Sequence, residues 1–350
     1  MPKRLAITGV NQVDLLDYED APLEADQVLV QTELASGKHG TTMGLLDNRT
    51  FGGQRFDADL RLFVEDPDNS TQNIPSRENP WNLGTTGVGV VSAVGENVSR
   101  FQVGDRVFGL MDVRQTNIRK EHQLWHLGTV DPYLALCVEP SYVSFHCIRE
   151  ANVLMGDSVV IIGLGALGLL AVRMARAAGA ETVIAVDPLP SRLDMAKSFG
   201  ADVALNALEG DVALSIHEAT QGKGVDVAIE LSGVYAGLNT AIRSARVGGT
   251  ICSAGFYQGE ANNLWLGREW HHNRLTMIVP HGCGWGHTPR DYPRWDSQRA
   301  YDTIVRMMEK QILTAPNLVN LTLSLNEGTQ VLEIIRTRPE VVKYAVDFTR

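Results

Sequence analysis

The spacing of hydrophobic and polar residues changes near position 150. Before it, short β-type runs such as residues 89–94 are separated by turn residues, which is typical of an antiparallel β-rich domain. After it, β-branched residues at 159–162 lead through glycines into an apolar helical stretch at 167–178 and an apolar strand at 182–186. This order predicts a βαβ unit whose strands are buried on both faces.

Helix and strand patterns continue to alternate as far as residue 254, which implies a parallel, doubly wound sheet. They are predicted at 192–199, 203–205, 225–230, 238–245 and 250–254. A helical stretch at 297–309 then leads to a C-terminal segment that we expect to return to the first domain. Residues 47–80, rich in Asp, Asn, Arg and Gly, predict a long surface excursion within the β-rich region.

Composition narrows the class of protein. With 350 residues, of which 44% are hydrophobic and 21% charged, the chain has the composition of a globular protein with two domains. Its formal charge of -10 repels phosphate backbones and anionic lipid, so we expect neither nucleic acid nor a membrane surface as a partner. No stretch reaches the roughly 20 apolar residues of a membrane span, and the N-terminus lacks a secretion signal. We therefore expect a cytoplasmic protein.

The four cysteines are well separated and form no C-x-x-C pair. A structural zinc knuckle or a redox dithiol normally contains such pairs. The spacing therefore predicts buried free thiols.

A Gly-x-Gly-x-x-Gly sequence lies between the predicted strand at 159–162 and the helix that follows, with glycines at 163, 165 and 168. In this context Gly163 allows a tight turn, Gly165 lets the backbone approach a pyrophosphate, and Gly168 lets helix and strand pack closely. The helix N-terminus, with Ala166 and Leu167, offers N–H groups to the anion. The sequence predicts a dinucleotide site, and a plain tight turn is the alternative.

Asp187 ends the second predicted strand, 19 residues after Gly168. A carboxylate at this place accepts hydrogen bonds from the adenosine ribose hydroxyls and repels a 2′-phosphate. NAD is therefore favoured over NADP as the cofactor. Arg192 could stack on adenine or weaken this preference, although a solvated helix arginine would give the same sequence.

Several motifs occur in order over almost the whole chain and together carry a family resemblance. They are Gly84-Thr-Thr-Gly87-Val-Gly89, Val94-Gly95, Val103-Gly-Asp-Arg-Val107, Glu139-Pro140 followed by His146, the Gly163 loop, Asp187, Glu230-Leu-Ser-Gly233 and Gly248-Gly249. With them the chain resembles the medium-chain dehydrogenase/reductase superfamily, which contains the alcohol and polyol dehydrogenases.

The resemblance implies an α/β fold: a Rossmann doubly wound parallel sheet plus a β-rich GroES-like catalytic domain. The NAD-binding Rossmann domain would span residues 149–288, and the catalytic domain residues 1–148 and 289–350. A homodimer, or a tetramer, associating through the edge of the Rossmann sheet is also implied. Ser232, Ala254 and Gly255 complete the predicted cofactor-binding residues.

Family members usually hold a catalytic zinc through a Cys, a His in a Gly-His-Glu sequence, and a further Cys or Glu. Here His39 stands at the cysteine position, Thr85 and Thr86 replace the His and Glu, and Glu139 keeps a zinc-compatible side chain. One His and one carboxylate fall short of the usual three protein ligands. The chain is thus similar to the zinc-lacking branch that includes bacteriochlorophyllide dehydrogenase-like proteins, and we expect no metal.

Oxidising an alcohol without zinc requires a protein group to take the hydroxyl proton. Our hypothesis is that His39 transfers this proton, that Lys38 orients or assists, and that Glu139 binds a substrate hydroxyl. The alternative is that His39 and Lys38 merely face solvent in a loop.

A polyhydroxylated small molecule is the expected substrate, because the polar excursion is rich in arginine and the chain offers tryptophan faces on which sugar rings stack. Candidate substrate contacts are Thr85, Trp125 and His281. Three other functions stay open: a zinc-dependent polyol dehydrogenase with an atypical site, an NADPH-type quinone or enone reductase, and a catalytically inactive nucleotide-binding protein.

Overall fold

The computed structural model describes residues 1–38, 40–46, 54–66, 75–280 and 292–350. The chain forms two compact units. The first contains Met1–Gly128, Tyr257–Glu260 and Asn320–Arg350, and the second contains Thr129–Phe256 and Ala261–Val319.

The first unit begins with antiparallel strands. These are β1 (Lys3–Gly9), β2 (Gln12–Asp17), β3 (Gln27–Gly37), β4 (Gln54–Asp57), β5 (Leu62–Glu65), β6 (Trp81–Asn82), β7 (Gly84–Val94), β8 (Arg106–Gly109), β9 (Thr116–Lys120) and β10 (Leu124–His126). Helix α1 (Gly40–Leu46) follows β3, and a 3₁₀ turn (Glu121–Gln123) precedes β10. In β3 the buried Val28 and Val30 alternate with the more exposed Gln27 and Gln31, as expected of a strand with one face on a core.

The second unit alternates helices with parallel strands. Its elements are α2 (Pro132–Ala135), α3 (Val138–Glu150), β11 (Ser158–Ile162), α4 (Ala166–Ala178), β12 (Thr182–Asp187), α5 (Pro190–Phe199), β13 (Val203–Asn206), α6 (Val212–Ala219), β14 (Val225–Glu230), α7 (Tyr235–Ser244), β15 (Ala245–Ser253), α8 (Glu269–His272), β16 (Thr276–Ile278) and α9 (Ser297–Glu309). Within the described residues the strand order is β13-β12-β11-β14-β15-β16.

This strand order reverses direction between β11 and β14, because the chain first builds outward through β12 and β13 and then starts again on the other side of β11. Val159, Val160 and Ile161 of β11 are completely buried, which a strand covered by helices on both faces requires. Helix α4 ends at Gly179, whose φ of 98° gives a left-handed cap. Ligands of such sheets bind outside the carboxyl ends of the strands at the reversal point.

The chain returns to the first unit through β17 (Val319–Ser324), a 3₁₀ turn (Glu327–Gln330), α10 (Val331–Thr337) and β18 (Lys343–Asp347). Strand β18 pairs antiparallel with β3, with Val346 opposite Ala35. Tyr344 and Val346 join Leu5 and Ile7 in the core of this unit. The expected return of the C-terminus therefore occurs by strand pairing.

The predicted fold class is confirmed: a doubly wound parallel sheet accompanies a β-rich unit. Helix α3 packs against α4 and α9 and so belongs to the compact unit of the parallel sheet, whereas the prediction assigned residues up to 148 to the catalytic domain. The predicted functional boundaries, 149–288 for the NAD-binding domain, stay a prediction.

Cys137, Cys147 and Cys252 are buried free thiols, as predicted, and Cys283 lies outside the described residues. Among the helices that the structure describes, none is long and apolar enough to cross a membrane.

Candidate functional site

The glycine loop connects β11 to α4, and two of its three glycines are required by packing. Gly163 has a φ of 88°, and a Cβ added there would lie 2.6 Å from the Ser232 nitrogen. A Cβ on Gly168 would overlap the carbonyl oxygen of Gly163. Both positions therefore exclude a side chain, and the two glycines let the first turn of α4 sit tightly against the loop.

Gly165 differs from the other two glycines because a Cβ added to it would meet open space. Its φ of -68° is accessible to any residue, so neither strain nor packing within the protein explains a glycine here. Gly165 is the N-cap of α4, and the first-turn residues Ala166 and Leu167 are half-buried beside it. The N–H groups of a first turn have no partner within their helix and bind anions. The space beside Gly165 therefore fits a pyrophosphate.

Asp187 lies at the carboxyl end of β12 and is 3% exposed. One carboxylate oxygen accepts the backbone N–H of Leu164 at 2.8 Å, and the other accepts that of Leu189 at 2.9 Å. Arg192 lies close by, with a guanidinium nitrogen 3.7 Å from the Asp187 carboxylate. Through the hydrogen bond from Leu164, Asp187 thus holds the glycine loop against the end of β12. Because each carboxylate oxygen has two lone pairs, ribose binding stays compatible with these bonds.

Glu230 occupies the corresponding place at the end of β14 and is completely buried. Its Oε1 accepts the Ser232 backbone N–H at 2.7 Å and also the Ser232 hydroxyl, while Oε2 accepts the Gly233 N–H at 3.3 Å. The N–H of Ala254 donates to the Glu230 carbonyl at 3.0 Å, and a Cβ on Gly255 would lie 2.6 Å from the Gly233 nitrogen. The predicted residues Ser232, Ala254 and Gly255 therefore lie together.

The motif that begins at Glu230 contributes to the family resemblance, but no role for the glutamate was predicted from sequence. The available signal in the sequence was a charged residue at the end of an apolar strand. In the structure this residue is completely buried. Burying a carboxylate is costly unless hydrogen bonds compensate it, so a buried carboxylate of this kind is a candidate for a structural or functional role.

In the first unit, the end of β3 meets the start of β7. Ser36 is paired with Thr86 and Gly37 with Gly84, and the Thr85 hydroxyl donates to the Ser36 carbonyl at 3.4 Å. Lys38, which follows β3 directly, is half-buried. The two sequence segments in which the family carries metal ligands are thus adjacent here. His39 lies outside the described residues.

Lys343 was missed by the sequence analysis. It is 5% exposed in β18, and its ammonium donates to the Gly37 carbonyl at 3.4 Å. The Ser36 hydroxyl donates to the Tyr344 carbonyl at 2.6 Å, and burial raises the pKa of the Tyr344 phenol. Strand β18 therefore holds the backbone immediately before Lys38. A lysine within the apolar C-terminal strand was the signal that could have revealed this contact.

The other predicted site residues have separate settings. Glu139 lies in the first turn of α3 in the second unit and is 8% exposed. Trp125 lies in β10, is 6% exposed and packs with its ring centroid 6.1 Å from that of Phe108, so it is mainly a core residue. Its role as a substrate contact stays a prediction. His281 lies outside the described residues. Among the residues that the structure describes, no three His, Cys, Asp or Glu side chains are grouped to hold a metal ion.

Two family models match the chain. The model for an alcohol dehydrogenase GroES-like domain matches residues 52–144, and the model for a zinc-binding dehydrogenase matches residues 166–296. The D-guloside 3-dehydrogenase of Escherichia coli (strain K12) is 31% identical over 355 aligned positions, which cover 99% of this chain and 100% of that protein. The chain belongs to the medium-chain dehydrogenase/reductase superfamily.

A further relative and a solved structure are similar over part or all of the chain. The sorbitol dehydrogenase of Bacillus subtilis (strain 168) is 31% identical over 51% of this chain and 60% of its own length. The crystal structure of an Escherichia coli oxidoreductase/dehydrogenase of unknown specificity matches with a TM-score of 0.79 at 20% identity and covers 99% of both chains, which shows the shared fold. As a medium-chain dehydrogenase, this chain is a pyridine-nucleotide-dependent oxidoreductase, and its glycine loop fits such a cofactor.

Proposed function

We propose that this medium-chain dehydrogenase oxidises a secondary hydroxyl of a sugar, cyclitol or other polyol with NAD. The observation that carries the proposal is the glycine loop, in which Gly163 and Gly168 are required by packing while Gly165 leaves space for a pyrophosphate. The names of two relatives, D-guloside 3-dehydrogenase and sorbitol dehydrogenase, support a polyhydroxylated substrate.

Asp187 supports NAD rather than NADP. Its carboxylate ends β12 beside the loop, where a 2′-phosphate on the adenosine ribose would meet a negative charge. Arg192 offsets part of that charge at 3.7 Å and is the residue that would favour NADP. We give the carboxylate more weight, because two backbone N–H groups fix its position.

The donor set supports catalysis without zinc. Thr85 and Thr86 occupy the family's His and Glu positions, and neutral hydroxyl groups are poor zinc ligands compared with Cys, His and carboxylate side chains. The Thr85 hydroxyl donates to the Ser36 carbonyl, and Thr86 is completely buried. Only His39 and Glu139 remain as potential ligands at these positions. A zinc enzyme with an unrecognised third ligand is the second candidate, favoured by the zinc-binding dehydrogenase model that matches residues 166–296.

NAD, when bound, supplies the hydride acceptor for the reaction. We propose that His39 takes the hydroxyl proton as the carbon loses hydride, since a neutral imidazole is a competent base near neutral pH. Lys38 would assist by stabilising the developing alkoxide, and Glu139 would bind a neighbouring substrate hydroxyl. Lys343 would support this arrangement from the side of β18 through its bond to the Gly37 carbonyl.

We further propose a homodimer or tetramer formed through an edge of the parallel sheet, whose two outer strands among the described residues are β13 and β16. An outer strand presents unpaired N–H and C=O groups that a second copy can use.

The function can be tested by measuring the reduction of NAD and NADP over a panel of sugars, glycosides, cyclitols and acyclic polyols. We expect NAD reduction with at least one of these compounds, with kcat/KM for NAD about ten-fold or more above that for NADP. NADPH-dependent reduction of an enone or quinone, without polyol oxidation, would contradict the proposal in favour of the reductase. Nucleotide binding without any turnover would favour the inactive nucleotide-binding protein.

A further inference from the structure

We propose that Glu230 is a positioning residue for the nicotinamide half of the bound cofactor, acting through the turn that contains Ser232 and Gly233. The inference rests on the proposed nucleotide-dependent function and assigns a role to a buried carboxylate outside the glycine loop.

Glu230 lies at the reversal point of the parallel sheet. It is paired with Ile162, the last residue of β11, across the boundary at which the strand order changes direction. The crevice that binds nucleotides in such sheets opens outside the carboxyl ends of these two strands. Glu230 therefore lies at the strand end that borders the crevice expected to bind the cofactor.

The Glu230 carboxylate holds the turn that follows it in the chain. It accepts two backbone N–H groups and one hydroxyl from Ser232 and Gly233, which follow it by two and three residues. These bonds fix the conformation of the turn that contains Ser232 and Gly233. Burying a carboxyl group is costly unless hydrogen bonds compensate it, and these bonds do so.

The turn is enclosed by positions that exclude side chains. A Cβ on Gly163 would lie 2.6 Å from the Ser232 nitrogen, and a Cβ on Gly255 would lie 2.6 Å from the Gly233 nitrogen. A Cβ on Gly237 would lie 2.8 Å from Oε1 of Glu230. The turn thus contacts the glycine loop on one side and the residues that follow β15 on the other. A shift of the carboxylate must move a surface of the cofactor crevice.

Asp187 provides the internal comparison. Both carboxylates end a strand next to β11, both are buried, and both accept backbone N–H groups from a loop at the carboxyl edge of the sheet. Doubly wound sheets of this type consist of two halves, each of which binds one mononucleotide. Asp187 belongs to the half that contacts the adenosine ribose, so Glu230 belongs to the half left for nicotinamide.

The test compares binding of NAD⁺ with binding of 5′-AMP, which contains only the adenosine half, by titration calorimetry. Glu230→Gln keeps the side-chain volume but places an N–H₂ group against backbone donors. We expect it to weaken NAD⁺ binding about ten-fold while AMP binding stays within about two-fold. Retained AMP binding also shows that the variant is folded.

Asp226→Asn is the matched control. Asp226 is on the same strand and accepts the Ser158 N–H at 2.8 Å and the Arg246 guanidinium at 2.6 Å, but it lies at the amino end of β14. It should change neither dissociation constant. Gly237→Ala is a second, milder variant, because its Cβ presses on the carboxylate without removing it and alanine favours a helix. It should show the same selective loss, to a smaller extent.

Equal weakening of NAD⁺ and AMP by Glu230→Gln, or no change in either, would overturn the positioning role alone. Failure of the wild-type protein to bind any pyridine nucleotide would overturn the proposed function and this inference together.

Discussion

The second unit keeps the residues that the family uses to bind the cofactor, whereas the first unit keeps the family's strands but not its metal-binding side chains. In the second unit the glycines and Asp187 occupy the expected positions and are fixed by packing and by hydrogen bonds of 2.8–2.9 Å. In the first unit the strands that bring the metal ligands together are present, but Thr85 and Thr86 stand in place of the His and Glu. Pyrophosphate recognition depends on backbone geometry, which tolerates little change. Proton transfer depends on a few side chains, which can be replaced while the sheet persists.

The largest expected effect tests the altered unit. His39→Ala, and separately Lys38→Met, should lower kcat by roughly 10²–10⁴-fold, the usual range for a lost acid–base group, while the dissociation constant of NAD⁺ stays unchanged. Steady-state kinetics and calorimetry measure the two quantities. Lys120→Met, an exposed lysine of the same unit, is the control and should behave as wild type. Unchanged turnover in both site variants would remove these residues from the mechanism.

The glycine loop offers a matched pair of substitutions in the preserved unit. Gly168→Ala should reduce the free energy of unfolding by about 3 kcal/mol, because its Cβ overlaps the Gly163 carbonyl. Gly165→Ala should leave that free energy within about 0.5 kcal/mol of wild type yet weaken NAD⁺ binding about ten-fold or more, since the methyl group enters the space for the pyrophosphate. Chemical denaturation measures the free energy of unfolding of the two variants, and calorimetry measures their affinity for NAD⁺.

If Gly165→Ala bound NAD⁺ normally, the open space beside this residue would not be the pyrophosphate site. Loss of stability in Gly165→Ala equal to that in Gly168→Ala would also contradict the assignment, because it would mean that all three glycines serve packing alone.

The sequence predicted the second unit well because its signals are local. The three glycines and Asp187 lie within 25 residues, from Gly163 to Asp187, with apolar runs next to them, and each follows directly from the geometry of one βαβ unit. The hydrogen bonds of Glu230 to Ser232 and Gly233 were not predicted, because no local sequence pattern indicates them.

The first unit was harder to predict because its site combines distant segments. Lys343 contacts the Gly37 carbonyl across 306 positions of the sequence, through pairing of β18 with β3. No local pattern indicates such a contact. The predicted boundary at residue 148 likewise followed the family's functional division, whereas the packing of α3 is set by long-range contacts with α4 and α9.

A smaller effect tests the cofactor preference. Asp187→Asn removes the charge beside the adenosine ribose, so the ratio of kcat/KM for NAD to that for NADP should fall about ten-fold. Arg192→Ala should change the ratio in the opposite direction by a lesser amount, because it removes the nearby positive charge. Steady-state kinetics with both cofactors provide the measurement. A ratio unaffected by Asp187→Asn would show that the carboxylate serves only to fasten the loop.

The smallest effect concerns the buried thiols. A hydrogen bond with Cys147 and burial raise the pKa of the Cys252 thiol, so it stays protonated and unreactive in the folded protein. In a Cys283→Ser variant, a thiol-specific chromogenic reagent should label none of Cys137, Cys147 and Cys252 until denaturant is added. Rapid labelling of the folded variant would reveal an accessible thiol and with it a potential soft metal ligand.

The contrast between a preserved nucleotide site and an altered metal position is tested most directly by the metal content of the purified protein, measured together with polyol-dependent NAD reduction before and after chelation. The account predicts zinc well below one atom per chain and activity that survives the chelator. Stoichiometric zinc, with activity lost on its removal and restored on its return, would contradict it and would place His39 and Glu139 in a metal site.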